Sequence, residues 1–166
     1  GNLGVAPGIT LTIEAGTDVK FNGGYSLNVG GQLIADGTED QPIRFLSNTG
    51  DPWERVYFDD TSIDATADLS GTYKSGNILR WVVMGGASQG IGCNNATPYL
   101  SHLTTDGGGM NCTTGSTSLW LLDSRLSGEV MVVEGPDSRG TWAGRTSMPT
   151  ARIRLGVTSA NNGKIY

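Results

Sequence analysis

A short recurrence constrains this chain more than any other feature. Leu79-Arg80-Trp81, Leu100-Ser101-His102 and Leu121-Leu122-Asp123 each open a short apolar or mixed strand, which then closes on Gly86, Gly107 and Gly128. The offset is the same at both steps, from position 79 to 100 and from 100 to 121. Nearer the N-terminus, Ile13-Glu14-Ala15-Gly16-Thr17-Asp18 returns at that same offset as Ile34-Ala35-Asp36-Gly37-Thr38-Glu39. Two separate stretches sharing one period indicate a repeat architecture, in which a unit too small to bury its own apolar face stacks on the next. The register breaks between positions 46 and 77, where an Asp/Thr/Ser-rich insertion runs from about 59 to 75.

The strands within each period are short. Leu11–Ile13, Val19–Phe21, Leu27–Val29, Gln32–Ala35, Ile43–Leu46 and Val56–Phe58 have three or four residues each, and Thr10-Leu11-Thr12-Ile13 alternates polar and apolar. Period-2 alternation marks a strand with one buried face. Gly and Asn separate these strands at intervals too short for crossover helices. Asn22-Gly23, Asp36-Gly37 and Asp106-Gly107 would suit two-residue hairpins. A coil with three short strands per turn explains the fixed repeat length better, each strand pairing with its equivalent one rung away. With rungs about 4.8 Å apart, the expectation is an all-β parallel β-helix, a solenoid of about six or seven rungs and about 30 Å long. It forms one domain over residues 1–166, with no clear capping helix.

Composition agrees with this class and removes others. Glycine fills 26 of 166 positions, and charged residues are only 16% against roughly 25% in an ordinary domain. A helical bundle or coiled coil is therefore excluded, while 37% hydrophobic residues still suffice for a core. The net charge is −5, with no basic run, so a nucleic-acid partner is not expected. No apolar stretch approaches the roughly 18 residues of a membrane span. The opening Gly1-Asn2-Leu3-Gly4 has neither Met nor a signal-peptide pattern, and is read as the start of a processed product or excised domain.

Residues 5–46, from Val5-Ala6-Pro7-Gly8 through Pro42-Ile43-Arg44-Phe45, resemble the opening rungs of right-handed parallel β-helix proteins. These are the pectin-lyase-like repeats of bacterial secreted and cell-surface proteins. Asp51-Pro52-Trp53-Glu54-Arg55-Val56-Tyr57-Phe58 looks like the Trp-led rung of that group, and the likeness continues more loosely over residues 77–128. The fold implied hosts lyases, hydrolases, adhesins and passive stalks, so it leaves activity open.

The resemblance implies clustered aspartates, a Gly-His-Gly and an Arg-Ile-Lys segment for the hydrolase branch. Here Asp59-Asp60 are adjacent, which on a strand puts them on opposite faces, and Arg152-Ile153-Arg154 is remote. The single histidine, His102, lies in Leu-Ser-His-Leu without flanking glycines and reads as a half-buried or surface strand residue. For the lyase branch the resemblance implies calcium. Asp59, Asp60, Asp64 and Asp68 offer hard oxygens, but their spacing matches no calcium loop. Of the Arg125, Arg139, Arg145, Arg152 and Arg154 set, nothing in the sequence gathers the members into a cationic groove. No catalytic residue, metal or cofactor is assigned.

Smaller signals remain. Gly85-Gly86 and Gly107-Gly108-Gly109 suit corners with positive φ. Trp53, Trp81, Trp120 and Trp142 suit either core packing or, as an outward stacked pair, sugar binding. Asn95-Ala96-Thr97 and Asn111-Cys112-Thr113 fit glycosylation acceptors. The separation of Cys93 and Cys112 falls two short of the period, so they come nearly above one another on neighbouring rungs. Rung spacing of about 4.8 Å admits a disulfide; two buried thiols are the alternative.

The functional expectation is a non-enzymatic extracellular or cell-surface structural module. Its terminal segments at residues 153–157 and 164–166 still read as strands, so open terminal rungs can join copies of itself into a filament or stalk. The alternative is a β-helix domain that binds or degrades polysaccharide.

Overall fold

Strands distant in sequence pair in parallel, as where Ile34 lies opposite Ile78 and Cys93 opposite Cys112, and that pairing organises the chain. The computed structural model describes residues 1–114 and 119–134. The strands expected at 153–157 and 164–166, Trp142, and the arginines at 139, 145, 152 and 154 lie outside the described residues. Among the described residues the structure is all-β and contains no helix.

Twelve strands form one mostly parallel sheet that curls nearly closed, in three columns of pairing. The first column joins β1 (Leu3–Val5), β4 (Leu27–Val29), β7 (Trp53–Phe58), the end of β10 (Ile78–Asn94), β12 (Met110–Thr114) and β14 (Val130–Glu134). The second joins β2 (Thr10–Ile13), β5 (Gln32–Asp36), the start of β10, β11 (Tyr99–Gly107) and β13 (Trp120–Leu122). The third joins β3 (Asp18–Phe21), β6 (Ile43–Ser47), the middle of β10 and the second half of β11. From β1 to β7, no strand pairs with the next one in sequence.

Register stacks like on like. Ile13, Ala35, Leu79, Leu100 and Leu121 follow one another down the second column, and all are buried. Val5, Val29, Phe58, Cys93 and Cys112 do the same down the first. The inward positions of all three columns merge into one continuous apolar core. Each large side chain fully buried there contributes about 1.5–3 kcal/mol.

Two details of the period need correction. Leu79, Leu100 and Leu121 are register partners at the expected step. Ile13, however, pairs with Ala35, not with Ile34, so the step there is longer by one. A one-residue slip exchanges the two faces of a strand: Ile13 and Ala35 point inward, and Ile34 packs in a second, outer cluster. The similar residues mark the turn, which does not keep the strand register. Likewise Gly107 pairs with Ala87 across a bulge, not with Gly86.

β7 keeps register with β4 and pairs with β10 across a bulge between Ala87 and Gly90, so the main interruption is the segment between β7 and β10. There β8 (Thr66–Ala67) and β9 (Tyr73–Ser75) form the one antiparallel pair among the described strands. The outward positions of the second column, Ile34, Ile78, Tyr99 and Trp120, form an apolar stripe. The insertion covers it with Ala65, Ala67 and Tyr73. This explains why consecutive Ile78 and Leu79 are both fully buried.

Cys93 and Cys112 are register partners, their Cα atoms 4.2 Å apart and their sulfurs bonded. A loop of this length constrains the unfolded chain by about 3 kcal/mol. Reduction of the purified protein should therefore lower its thermal midpoint, and intact-mass measurement should show a gain of two hydrogens. An unchanged mass on reduction would mean that the cysteines are thiols.

Candidate functional site

The side chain of Trp81 stands at the bend of β10 where the second column gives way to the third. Its backbone has φ +51°, and the same place one step on holds His102 (φ +51°) and then Asp123 (φ +45°). Histidine and aspartate tolerate the left-handed region; for a bulky residue such as Trp it is an outlier, of order 1–3 kcal/mol. This corner, recurring once per period, is thus built from Trp, His and Asp, while Gly86 (φ +72°) and Gly107 (φ +115°) take positive φ as the sequence suggested.

These three residues form one wall of an open trough of about 470 Å³ on the outer surface. The tip of the insertion hairpin, Ser70 to Tyr73, forms the other wall. Arg80 and Ser101, register partners on the outward face, lie in its floor. A side recess of about 280 Å³ shares Trp81, His102 and Asp123 and extends to Glu39, Pro42 and Arg125.

The Trp81 and His102 rings stack, centroids 4.0 Å apart at 23°. Ser101 Oγ and His102 Nδ1 share a hydrogen bond of 2.7 Å. With Ser101 only 3% exposed, that bond anchors the imidazole and presents no activated hydroxyl to solvent. Arg80 grips Asp36 with two bonds, Nε to Oδ1 at 2.6 Å and Nη2 to Oδ2 at 2.7 Å. That bond to Asp36 is the main reason the guanidinium pKa is raised. Burial is the first cause raising both the Tyr73 and the Tyr99 pKa. Both phenols stay protonated at neutral pH and donate, Tyr73 to Gly76 O at 2.8 Å and Tyr99 to Gly71 O at 2.9 Å, which ties the hairpin to the trough.

The hairpin tip is itself organised by Asp68. Its Oδ1 accepts from Ser70 N, Ser70 Oγ and Thr72 N, and its Oδ2 meets Lys74 Nζ at 2.9 Å. Lys74 foremost, then the Ser70 hydroxyl, hold the Asp68 carboxyl well below its ordinary 3.8. A carboxyl with a lower pKa folded than unfolded stabilises fully above the unfolded value, and that contribution is lost as pH falls towards the folded one. The Ser70 and Thr72 amide signals should therefore hold their positions through pH 4 and shift only in stronger acid. Lys74→Ala should raise the midpoint of that shift in an NMR titration; a midpoint unmoved by the substitution would contradict the assigned cause.

The aspartates singled out in the sequence are not gathered. Asp59 Oδ1 accepts from Asp60 N, Asp60 Oδ1 from Asn95 Nδ2, and Asp64 Oδ1 from Thr97 N. None of these three lines the trough. Among the described residues no group of three His, Cys, Asp or Glu side chains is placed to hold a metal ion. The tryptophans divide by role. Trp53 is fully buried and Trp120 packs beside Tyr99, which leaves Trp81 at the trough. Sequence reading missed Asp123 and the pairing of Trp81 with His102. The signal was present, since positions 81, 102 and 123 share the spacing of the repeat.

No family model, curated protein or solved structure matches this chain. No described helix is long and apolar enough to cross a membrane.

Proposed function

We propose that the chain is a right-handed parallel β-helix of the pectin-lyase-like kind, serving as a non-enzymatic structural module outside the cell or on its surface. The observation that carries this reading is the set of three parallel columns, each running strand over strand between segments distant in sequence. In this reading each column is one side of the coil, and the antiparallel hairpin is an outgrowth of one rung. A disulfide between stacked rungs and a surface rich in Ser, Thr and Asn suit an oxidising extracellular setting.

Rod-to-rod stacking is the assembly this architecture favours. Among the described strands β1, β2 and β3 have a partner on one side only, and Leu3 within β1 and Ile9 just before β2 are 50% and 57% exposed. The unpaired edge of these strands can take a further parallel rung, which in this proposal a second copy supplies. Electron microscopy of the concentrated protein should show fibres or end-to-end rods. Monodisperse single particles at high concentration would overturn the stacking.

The trough favours a second reading, polysaccharide binding. Degradation has less behind it, because Asp59 and Asp60 lie away from the trough and bond to their own neighbours.

A further inference from the structure

We propose that the trough between the insertion hairpin and the Trp81–His102–Asp123 wall binds an uncharged glycan chain, with one sugar ring packed on the Trp81 indole. This rests on the second, polysaccharide-binding reading above and narrows it to a ligand class.

Shape, stacking and charge each contribute. The trough and its side recess share Trp81, His102 and Asp123, which recur at one position of successive stacked segments, so the trough runs along the stack and suits an elongated ligand. His102 covers one face of the indole. On the other side the corresponding position is Gly37, whose amide bonds to Arg80 O at 2.9 Å and which has no side chain to cover the ring. A flat ligand with an apolar face fits there.

Charge decides the class. Arg80, the cation in the floor, is already neutralised by the bidentate Asp36 carboxylate. What remains along the trough and recess is Asp123 and Glu39 against Arg125, which gives no excess of positive charge to attract an anionic polymer. Asp123 and the exposed Thr72 hydroxyl supply polar partners for sugar hydroxyls. A peptide is disfavoured on separate grounds. The backbone groups of β5, β10 and β11 beneath the trough are consumed by the parallel ladder, so no strand edge is open for main-chain pairing there.

The test titrates the intact protein with cellohexaose, xylohexaose, mannohexaose and laminarihexaose, and with hexagalacturonate as the anionic comparator. Tryptophan fluorescence and calorimetry are the readouts. At least one neutral hexaose should bind saturably and more tightly than the uronate. Trp81→Ala should weaken it about tenfold or more, the equivalent of about 1.4 kcal/mol. Thr72→Trp, on the exposed hairpin wall, should block binding by filling the trough without touching the core. Arg55→Ala, on the first column's outer surface, should leave affinity unchanged, and thermal melts would show whether each variant is folded. Tighter binding of the uronate would overturn the neutral class while keeping the polysaccharide reading. Binding of none of the five at millimolar concentration would overturn both. Binding indifferent to Trp81→Ala and Thr72→Trp in folded proteins would overturn the site.

Discussion

Replacing Trp53 by alanine should cost about 3–5 kcal/mol of unfolding free energy, the range for deleting a large aromatic from a core. Trp53 has no exposed surface and stacks on Phe21 with ring centroids 4.5 Å apart and planes within 8°. Phe45 packs at 6.3 Å. The indole also makes a half-buried polar contact, donating from Nε1 to Gly85 O at 2.9 Å. Alanine would leave a cavity between the first and third columns and remove that hydrogen bond. For a chain of this length the thermal midpoint should fall by roughly 10 °C. Trp53→Phe should lose less, because most of the packing remains and only the hydrogen bond is removed. Calorimetry on the two variants separates the terms, and equal losses would show that the hydrogen bond dominates.

Gly90→Ala should be nearly as damaging, for a different reason. Gly90 has φ +74°, and a Cβ there would overlap the carbonyl oxygen of Gly109 in the segment stacked on it. Backbone strain of about 1–2 kcal/mol is joined by overpacking of about 1–3 kcal/mol against atoms that cannot rotate away. Gly8 provides the control. Its φ is +79°, yet nothing lies within 4 Å of a Cβ built on it. Gly8→Ala should therefore cost only the backbone part. Denaturant midpoints of the two variants report the difference, and equal losses would mean that close stacking at Gly90 contributes nothing.

Much of the architecture was readable because it depends on alternation. The expected strands at Leu11–Ile13, Val19–Phe21 and Leu27–Val29 fall within or upon β2, β3 and β4. Residue identity served less well for register. Ile13 and Ile34 hold like places in the sequence but stand on opposite faces, because the stretch from β2 to β5 is one residue longer than the repeat suggests. Charge was harder still to read. Asp18 meets Arg44 at 2.7 Å and Asp36 sits opposite Arg80, so opposite charges pair across neighbouring strands. Their sequence separations, 26 and 44, are not ones that a search at the repeat period connects.

The trough was legible only in pieces. Trp81 and His102 were each noted, and each had an ordinary reading. Their stacking follows from the positive-φ bend, which no propensity assigns to tryptophan. The hairpin that makes the opposite wall lies in what the sequence presents as a hydrated Asp/Thr/Ser-rich loop. Its docking depends on Tyr73 and Tyr99, more than one repeat apart in sequence but with ring centroids separated by 5.5 Å.

Cross-strand proton contacts by NMR test the central claim, that the chain coils with strands distant in sequence pairing in parallel. Parallel-ladder contacts should link Leu79 to Leu100 and Leu100 to Leu121, with Thr12 to Ile34 and Asn28 to Tyr57 in the other described strands. Close Hα–Hα contacts between neighbours in sequence, such as β2 with β3 or β4 with β5, would instead mark antiparallel hairpins and contradict the coil.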